Sequence, residues 1–341
     1  MAASPQVVNA AAPLRVCDNG GWTDTWFAGG GAVCNIAVHP CVEVQVVVRP
    51  REEAEDHCIL NAENYGDRYA MAPGSPLPDR HPLLEATVDE MGVPDDVAVE
   101  ISIFCEAPAG CSTGTSAAAT VALVAALAAL TPGRLSAHEV AATAHRIESE
   151  RLGLQSGVQD QLCSAFGGLS YIEIGDYPRA SVSTLRIPDH TWWELERRLV
   201  LVFLGRTHVS SAVHEKVIAD VTGSGTARLE PLRREARAMR DALLEGDLDA
   251  LGRSMTRNTQ AQAELHADLV NPTARGVIEL AAAHGAVGWK VNGAGGEGGS
   301  VTLLCGPSSS AKRRLISSLA DVDPLCQHIP THLSRNGVRI W

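Results

Sequence analysis

The segment Pro108-Ala-Gly-Cys-Ser-Thr-Gly-Thr-Ser116 combines the small and hydroxyl-bearing residues that form anion-binding loops. It lies between an alternating run, Val97–Phe104, which predicts a strand, and an alanine-rich run, Ala117–Leu130, which predicts a buried helix. Small residues let successive backbone N–H groups converge on an anion, and the positive end of the helix dipole adds to the attraction. The predicted phosphate cradle consists of Gly110, Cys111, Ser112, Thr113, Gly114, Thr115 and Ser116. The alternative is a tight turn in which Thr115 or Ser116 only caps the helix.

Two better-known glycine motifs do not account for the chain. The nucleotide-binding pattern that ends in Gly-Lys before Ser or Thr needs a lysine, which Gly110–Ser116 does not contain. Gly293-Ala-Gly-Gly-Glu-Gly298 matches the spacing of the dinucleotide-binding motif, but that motif must open a helix. Because Ser300–Cys305 continues as a predicted strand, an NAD-dependent dehydrogenase is the weaker alternative.

Two segments with carboxylates follow the loop and are candidates for metal binding and proton transfer. Glu148 and Glu150 lie in a helix predicted from about Ala137 to Arg151. Asp160 lies among glutamines and small residues in another predicted helix, Val158–Phe166. A carboxylate in such surroundings can accept a proton from a hydroxyl group and orient it. Spacing alone leaves exposed glutamates and a capping or surface aspartate as the alternatives.

The elements that must position these residues fall into two groups. The first part of the chain is rich in strands, with β-branched runs at Ala32–Val38 and Val42–Val48 and a turn-rich segment at Asn61–Asp79. The second part has helical and strand-like runs at Leu199–Leu204, Leu229–Leu244, Leu248–Leu265, Pro272–His284, Val287–Val291 and Ser300–Cys305. At 341 residues the chain exceeds the length at which one core usually stops growing. We predict two α+β domains, residues 1–195 and 196–341.

Composition excludes several classes of function. A formal net charge of −12 with 45% apolar residues is typical of a globular protein and disfavours nucleic acid or an anionic membrane as partner. The nine cysteines contain no Cys-x-x-Cys pair, so we expect reduced thiols rather than a zinc site or a disulfide framework. No signal-peptide pattern or membrane-spanning run is present in the sequence. We therefore expect a cytoplasmic protein, and the composition leaves its oligomeric state open.

Three motifs together give the chain a resemblance to the GHMP kinases, the group that includes galactokinase, homoserine kinase and mevalonate kinase. Pro108–Ala118 resembles the central phosphate loop of that family, Ala12–Asp24 its N-terminal motif, and Lys290–Gly299 its glycine-rich C-terminal motif. They occur in the family's order across nearly the whole chain. The resemblance implies an ATP-dependent small-molecule kinase with a first domain like ribosomal protein S5 and a ferredoxin-like α/β-plait second domain.

Within that family, Gly20–Thr25 and Ser156–Leu162 are most similar to L-fucokinase and the heptose 7-phosphate kinases. This resemblance implies phosphorylation of the anomeric hydroxyl of a monosaccharide or sugar phosphate. The chain departs from the family pattern in three places. Ser112-Thr113 replaces Gly-Leu, Glu297 interrupts the third glycine run, and Trp26-Phe27 replaces the Pro-Pro pair of fucokinases. The sequence does not identify the sugar.

The resemblance also implies roles for individual residues. Asp160 is the implied catalytic carboxylate, and Arg15 supplies positive charge beside it or beside the transferred phosphoryl group. Glu148 and Ser116 are the implied ligands of Mg²⁺. ATP and Mg²⁺ are the expected cofactors, and a small sugar or sugar phosphate is the expected partner.

On the sugar side, Asp24 is expected to accept hydrogen bonds from hydroxyl groups, with Thr23 in support. Trp22 and Trp26 offer an apolar surface for the C–H face of a sugar, or are ordinary core tryptophans. In the second domain, Gly293, Gly295 and Gly296 are expected to bring backbone close to the phosphate loop. Three further residues are less specific: Lys290, which holds its own turn, and Arg206 and His208, which contact a substrate phosphate or lie in an exposed turn.

Two alternative functions stay open besides the dehydrogenase. One is another kinase of the same superfamily, of the mevalonate or homoserine type, and the other is a catalytically inactive sensor of a sugar or nucleotide. The Gly-Gly-Trp-Thr-Asp segment argues against the first alternative. The simultaneous presence of Arg15, Asp24, Glu148 and Asp160 argues against the second.

Overall fold

The computed structural model describes residues 6–72, 74, 80–206, 215, 217–218, 220, 226–296 and 298–341. Two sheets organise them. The first has eight strands: β1 (Gln6–Asn19), β2 (Gly31–Pro50), β3 (Cys58–Ala62), β4 (Asp67–Met71), β5 (Val97–Cys105), β6 (Leu169–Asp176), β7 (Arg179–Leu185) and β12 (Arg339–Ile340). The second has four: β8 (Leu199–Phe203), β9 (Gly288–Val291), β10 (Ser300–Leu304) and β11 (Gln327–Ile329).

The helices belong to both halves of the chain. They are α1 (Pro82–Met91), α2 (Thr115–Ala128), α3 (Ala137–Arg146), α4 (Gln159–Phe166), α5 (Asp189–Arg198), α6 (Glu230–Glu245), α7 (Leu248–Leu265), α8 (Pro272–Ala283), α9 (Ser309–Ser317) and α10 (Leu319–Val322). Short 3₁₀ turns cover Arg51–Glu53, Glu63–Tyr65, Thr226–Leu229 and Ala267–Leu269, and a π-helical turn covers Ile147–Arg151. Among the described residues, no helix combines the length and the apolar character that a membrane span requires.

The main strand order of the first sheet is β12-β1-β2-β5-β3-β4. The long β1–β2 hairpin forms its centre. Its two strands pair antiparallel from Gln6 opposite Val48 to Asn19 opposite Cys34. One half of β2 also pairs with β5 and the other half with β6, which continues to β7. The two strands predicted at 32–38 and 42–48 are therefore one continuous strand. This strand is longer than either predicted run because its two halves have different partners.

Helix α2 lies at the centre of the first domain and explains the alanine-rich run. It packs against β1, β2, α1, α3 and α4, and Ala117, Ala122 and Ala125 are among its buried residues. Helix α6 contacts β1 and β2, and α7 contacts β1, so elements of the second half complete the core of the first. Small side chains let the central helix approach its neighbours closely on all sides.

The second sheet has the antiparallel order β11-β8-β10-β9, and α8, α9 and α10 supply apolar residues to its core. The chain leaves the first sheet at Leu185 and enters the second at Leu199, on either side of the predicted boundary at residue 195. The last strand, β12, returns to pair with β1, so the end of the chain belongs to the first sheet. The two-domain α+β class is confirmed, whereas the boundary itself stays a prediction.

Two local predictions are corrected by the structure. The helix predicted to residue 151 ends at Arg146 and continues as the π-helical turn. The turn-rich segment at 61–79 contains the end of β3 and all of β4, although residues 73 and 75–79 lie outside the described part. All nine cysteines are buried and unpaired, as expected for reduced thiols.

Candidate active site

A cleft of about 760 Å³ is lined by residues of both domains. The phosphate loop and the start of α2 form one wall, and the turn after β1 forms another. The segment that includes the π-helical turn and the start of α4 approaches from the first domain, and Gly293 and Ala294 approach from the second. The three motifs that are far apart in sequence therefore meet at one site.

The phosphate loop ends in an uncapped helix. Gly114 is the N-cap of α2, with φ of 72°, and no side chain accepts a hydrogen bond from the first turn. The cap predicted at Thr115 or Ser116 is wrong, because the helix already begins at Thr115. The first N–H groups of a helix have no acceptor within the helix, so an anion in the cleft can bind them.

Ser112 stands where the related loops have glycine, and its backbone keeps the glycine-like conformation. Its φ of 57° lies in the left-handed region, which is costly for a residue with a side chain. Its carbonyl oxygen accepts a hydrogen bond from Arg15 Nη1. A Cβ atom on Gly299 of the second domain would lie only 2.7 Å from Ser112 Oγ. The loop therefore packs directly against the second-domain glycine turn.

Arg15 and Asp160 form a bidentate ion pair beside the loop. Arg15 Nε is 2.8 Å from Asp160 Oδ1, and Arg15 Nη2 is 3.1 Å from Asp160 Oδ2. Burial alone lowers the pKa of Arg15, but the charges of Asp160 and Asp18 raise it well above its usual value. A Cβ atom on Gly114 would lie 3.2 Å from the Asp160 carboxyl carbon, so the carboxylate adjoins the phosphate loop. The two predicted catalytic residues are thus in direct contact.

Glu148 lies on the π-helical turn and faces the same cleft as Ser116. Its Oε2 accepts hydrogen bonds from Ser156 Oγ at 3.1 Å and Gln161 Nε2 at 2.5 Å. Burial raises the pKa of Glu148 to about 7, against the effect of these donors. Within the described residues, no cluster of three His, Cys, Asp or Glu side chains could hold a metal by itself. Any metal here must take part of its coordination from water or a ligand.

Asp24 is a buried carboxylate that lines the same cleft beside the start of α4. Its Oδ2 accepts a hydrogen bond from the backbone N–H of Gln159 at 3.1 Å. Burial raises the pKa of Asp24 to about 6, and the nearby Asp160 contributes to the rise. A Cβ atom on Gly157 would lie 2.0 Å from Asp24 Oδ2, so only glycine fits beside this carboxylate.

Of the other residues predicted to contact the sugar, two line the cleft and one does not. Thr23 is fully buried, does not line the cleft, and uses its hydroxyl group on the backbone of Gly20 and Ala32, so we withdraw its substrate role. Trp22 lines the cleft but also packs in an apolar cluster with second-domain residues. Trp26 lines the cleft with 43% of its surface exposed.

Of the predicted second-domain residues, some line the cleft and others do not. Gly293 lines the cleft, and a Cβ atom there would lie 3.2 Å from Arg15 Nη2. Gly295 and Gly296 are not cleft residues: Gly295 faces the carbonyl of Leu269, and the carbonyl of Gly296 accepts a hydrogen bond from Asn271. Arg206 is exposed outside the cleft, whereas His208 and Glu297 lie outside the described residues.

Sequence reasoning missed several residues of the cleft. Asp18 lines it and is paired with Lys290, which was expected only to hold its own turn. Gln159 Oε1 is buried without a hydrogen-bond partner among the described residues, beside Asp24. Neither position has a distinctive residue type, so only the three-dimensional arrangement identifies them.

A mixed aromatic and apolar wall closes the end of the cleft beyond the phosphate loop. Tyr65 lies against His81, with ring centroids 5.1 Å apart, and Leu83 and Ile103 line the same region. The side chain of Asn64 exchanges two hydrogen bonds with the backbone of Cys105, at 2.8 and 2.9 Å, and fixes the 3₁₀ turn there. A flat apolar ring can bind between such surfaces.

Two family models match the chain. The model of the GHMP kinases N terminal domain matches residues 82–168, and the model of the GHMP kinases C terminal domain matches residues 239–322. The first covers the phosphate loop, Glu148 and Asp160, and the second covers the glycine turn at Gly293. The matched segments thus contain most of the residues that meet in the cleft.

Several characterised proteins are similar to the chain. It is 26% identical over 246 residues to D-glycero-alpha-D-manno-heptose 7-phosphate kinase of Campylobacter jejuni, covering 72% of this chain and 71% of that protein. It is 21% identical over 368 residues to L-fucokinase/L-fucose-1-P guanylyltransferase of Bacteroides fragilis, covering 99% of this chain but only 39% of that protein. This chain therefore spans about two fifths of the bifunctional relative.

Solved structures show the same fold. A D-glycero-D-manno-heptose 1-phosphate kinase from Bacteroides thetaiotaomicron superposes with a TM-score of 0.76 at 21% identity, covering 98% of each chain. Galactokinase of Lactococcus lactis, complexed with galactose, superposes with a TM-score of 0.75 at 13% identity, covering 98% of this chain and 95% of the other. Both likenesses extend over the two sheets and the cleft between them.

Proposed function

This chain belongs to the GHMP kinases, whose two models together match half of its residues, and on that premise we propose that it phosphorylates the anomeric hydroxyl of a monosaccharide or sugar phosphate. The observation that carries the proposal is the position of Asp160. The carboxylate is held by Arg15, adjoins the phosphate loop, and shares its cleft with Asp24. The similarity to a heptose 7-phosphate kinase and to fucokinases supports a sugar as the acceptor.

The two ends of the cleft suit the two substrates. The apolar wall at Tyr65, Leu83 and Ile103 suits the adenine ring, and the loop Gly110–Ser116 with the uncapped start of α2 suits the phosphates. ATP placed in this way directs its γ-phosphoryl group toward Asp160, because Asp160 adjoins Gly114 at the end of the loop.

The sugar end offers hydrogen-bond acceptors next to apolar surface. Asp24 can accept hydrogen bonds from sugar hydroxyl groups, and so can Gln159 Oε1, which has no partner in the part of the chain that the structure describes. Trp22 and Trp26 provide apolar surface for the C–H face of the ring. Burying a hydroxyl group that pairs with Gln159 satisfies an atom that otherwise lacks a partner.

Phosphoryl transfer requires little covalent chemistry from the protein. Asp160 orients the anomeric hydroxyl and accepts its proton as the sugar oxygen bonds to the γ-phosphorus. The bond from the γ-phosphorus to the bridging oxygen breaks, and ADP leaves with that oxygen. Arg15 keeps the Asp160 carboxylate in place and adds positive charge beside the transferred group.

The donor set at Ser116 and Glu148 fits Mg²⁺. Both residues face the cleft and offer oxygen atoms, and Mg²⁺ binds few protein ligands when it also binds phosphates. When bound, Mg²⁺ neutralises charge on the phosphates. Glu148 is held in position by Ser156 and Gln161, and its raised pKa means that binding must displace a proton near neutral pH.

We place the protein in the cytoplasm, because nine buried, unpaired thiols suit a reducing compartment. A second candidate, an inactive sensor on the same scaffold, is disfavoured by the contact between Arg15 and Asp160. A protein that only binds its ligands has no need for a buried arginine that holds a carboxylate against the phosphate loop.

An ADP-release screen over free monosaccharides and their terminal phosphates tests the proposal. We expect turnover with at least one sugar, a product that ³¹P and ¹H NMR show to be phosphorylated at the anomeric carbon, and a greatly reduced rate from Asp160→Asn. Turnover with mevalonate or homoserine but with no sugar contradicts the sugar assignment. The absence of turnover with every acceptor, together with ATP binding, favours the sensor.

A further inference from the structure

A buried ion pair between Asp18 and Lys290 joins the two domains close to the candidate catalytic residues. Asp18 lies near the end of β1 in the first domain, and Lys290 lies on β9 in the second. Lys290 Nζ is 3.1 Å from Asp18 Oδ1, and their side chains are only 1% and 2% exposed. Asp18 Oδ2 accepts a hydrogen bond from the backbone N–H of Gly293 at 3.0 Å, and Lys290 Nζ donates to Gln262 Oε1 at 3.0 Å.

Stability is a poor explanation for keeping both of these charges. Moving two ions out of water is costly, and a well-packed apolar pair can fill the same space without that cost. Burial lowers the pKa of Lys290, and the charge of Asp18 acts in the opposite direction. The pair is therefore better explained by what it does to its neighbours.

The neighbours of the pair are the residues of the active site. Lys290 is paired with Asp18 and Arg15 is paired with Asp160, and the charge of Asp18 also acts on Arg15. The Asp18 carboxylate contributes to the raised pKa of Arg15 and to that of Asp24. Asp18 also holds Gly293, which lies against the guanidinium of Arg15. A change in the charge of Asp18 therefore affects Arg15, beside the transferred phosphoryl group, and Asp24, beside the sugar.

We propose that Lys290 and Asp18 form an interdomain positioning pair, which sets the charge around Arg15 and thereby aligns Arg15 with Asp160 when the two domains are packed together. This inference rests on the proposed kinase function. Lys290 neutralises Asp18, so Arg15 can direct its donors to Asp160 and to the carbonyl of Ser112. Without Lys290, Asp18 competes with Asp160 for the guanidinium. Without Asp18, an unpaired buried lysine repels it.

Kinetics of charge-matched variants give the first test. We expect Lys290→Met to lower kcat by about 10- to 100-fold, the usual cost of a misaligned catalytic group, and to change the KM for ATP by less than about threefold. The double variant Asp18→Asn/Lys290→Met removes both charges and should recover about tenfold of the lost kcat. Lys312→Met is the matched control, because Lys312 is a partly buried lysine of the second domain that binds the backbone carbonyls of Arg197 and Leu199 and does not line the cleft.

The titration of Asp24 in the protein without substrates gives a test that does not depend on turnover. Asp24 faces Asp160 on α4 and Asp18 on β1, and the Tyr177 hydroxyl in the β6–β7 turn is coupled to it. Arg15 and Lys290 are the cations of this network. Carboxyl ¹³C NMR, assigned by the signal lost in Asp24→Asn, should show a pKa of Asp24 above that of the wild type in Lys290→Met and below it in Asp18→Asn.

The opposite directions of these shifts distinguish positioning from structural support. If the pair only stabilises the fold, both variants let water reach Asp24 and its pKa falls in both. Shifts of the same sign, no shift in either variant, or a double variant as slow as Lys290→Met overturn the inference. Because the pKa of Asp24 falls in Asp18→Asn under either explanation, the shift in Lys290→Met decides between them. Lys290→Gln, which also removes the charge, replaces Lys290→Met if that variant does not fold. A failed sugar screen with opposite Asp24 shifts counts against the proposed function only.

Discussion

Arg15 holds Asp160 through two hydrogen bonds, at 2.8 and 3.1 Å, although 145 residues separate them in the chain. The backbone N–H of Arg15 also donates to the carbonyl of Thr113 at 3.0 Å, so the same residue is joined to the phosphate loop. A planar guanidinium fixes both the distance and the plane of a carboxylate. This arrangement orients Asp160 before any substrate binds, which is what an in-line transfer needs.

The first prediction concerns Asp160. Asp160→Asn keeps the shape and one hydrogen bond to Arg15 but cannot accept the sugar proton. We expect kcat to fall by about 10²- to 10⁴-fold while the affinity for ATP changes little, because general-base catalysis contributes that much. Steady-state kinetics and ATP titration by calorimetry measure both effects. A surface variant, Asp95→Asn, should behave as the wild type, since Asp95 is exposed. Near-normal kcat in Asp160→Asn removes the residue from the mechanism.

The second prediction concerns Mg²⁺ and Glu148. Only the ionised carboxylate binds Mg²⁺, and burial raises the pKa of Glu148 to about 7. The Mg²⁺ concentration needed for half-maximal turnover should therefore rise as the pH falls below about 7, by close to tenfold per pH unit. Turnover at fixed ATP over a matrix of pH and Mg²⁺ concentration measures this dependence.

Glu148→Gln should raise the required Mg²⁺ concentration by about tenfold or more and remove its steep dependence on pH. Glu150→Gln is the matched control, because Glu150 lies on the same π-helical turn with an exposed side chain. Equal effects of the two substitutions would show that general charge, rather than a ligand at Glu148, controls the metal requirement.

The sequence predicts some residues of this site better than others, because only some side chains have a single use in the motif. Asp160 and Arg15 could be predicted because their types and spacing recur in a motif, and the structure brings them into contact. Thr23 belongs to the same motif, yet its hydroxyl is needed to close the turn after β1. A threonine can serve either purpose, and sequence alone does not distinguish a hydroxyl group used by the backbone from one offered to a ligand.

The ion pair between Asp18 and Lys290 could not be predicted from the sequence. Asp18 and Lys290 lie within the N-terminal and C-terminal motifs, but nothing in either motif indicates that the two residues form an ion pair. Their roles depend on packing between residues 272 positions apart. Likewise, β2 exceeds its predicted length because strand partners on both halves extend it. Long-range contacts decide these features, and local periodicity does not contain them.

The third prediction links Asp24 to stability. Burial raises the pKa of Asp24 from 3.8 to about 6, so the folded state holds its proton more tightly than the unfolded state does. The folded protein without substrates therefore loses stability as the pH rises from about 4 to about 6, by on the order of 2–3 kcal/mol. Asp24→Asn keeps the acceptor for Gln159 and avoids this loss.

In urea unfolding, the free energy of unfolding of Asp24→Asn should accordingly increase relative to that of the wild type as the pH rises from about 4.5 to about 8. The same variant should bind the sugar more weakly. Asp95→Asn, at an exposed position, should show no such pH-dependent gain. A difference between Asp24→Asn and wild type that stays constant with pH would mean that Asp24 titrates alike in both states.

The last prediction tests how the second domain supports the phosphate loop. A Cβ atom on Gly299 would lie 2.7 Å from Ser112 Oγ, so Gly299→Ala should displace the loop. We expect the KM for ATP to rise by about tenfold with a smaller effect on the sugar, since the displaced groups bind phosphates. The positive φ of 86° at Gly299 also predicts a loss of about 1–2 kcal/mol in unfolding free energy.

Two variants separate the contact from the backbone strain. Gly285, outside the cleft in the second domain, has a φ of 77° with nothing within 4 Å of its Cβ position, so Gly285→Ala should cost similar stability and leave the KM for ATP unchanged. Ser112→Gly combined with Gly299→Ala removes the obstructing side chain, and glycine relaxes the left-handed backbone at 112. The double variant should therefore recover most of the ATP affinity, and it should also recover part of the stability, because glycine at 112 relieves the left-handed strain. If it binds ATP as weakly as Gly299→Ala alone, the Ser112–Gly299 contact does not transmit the effect.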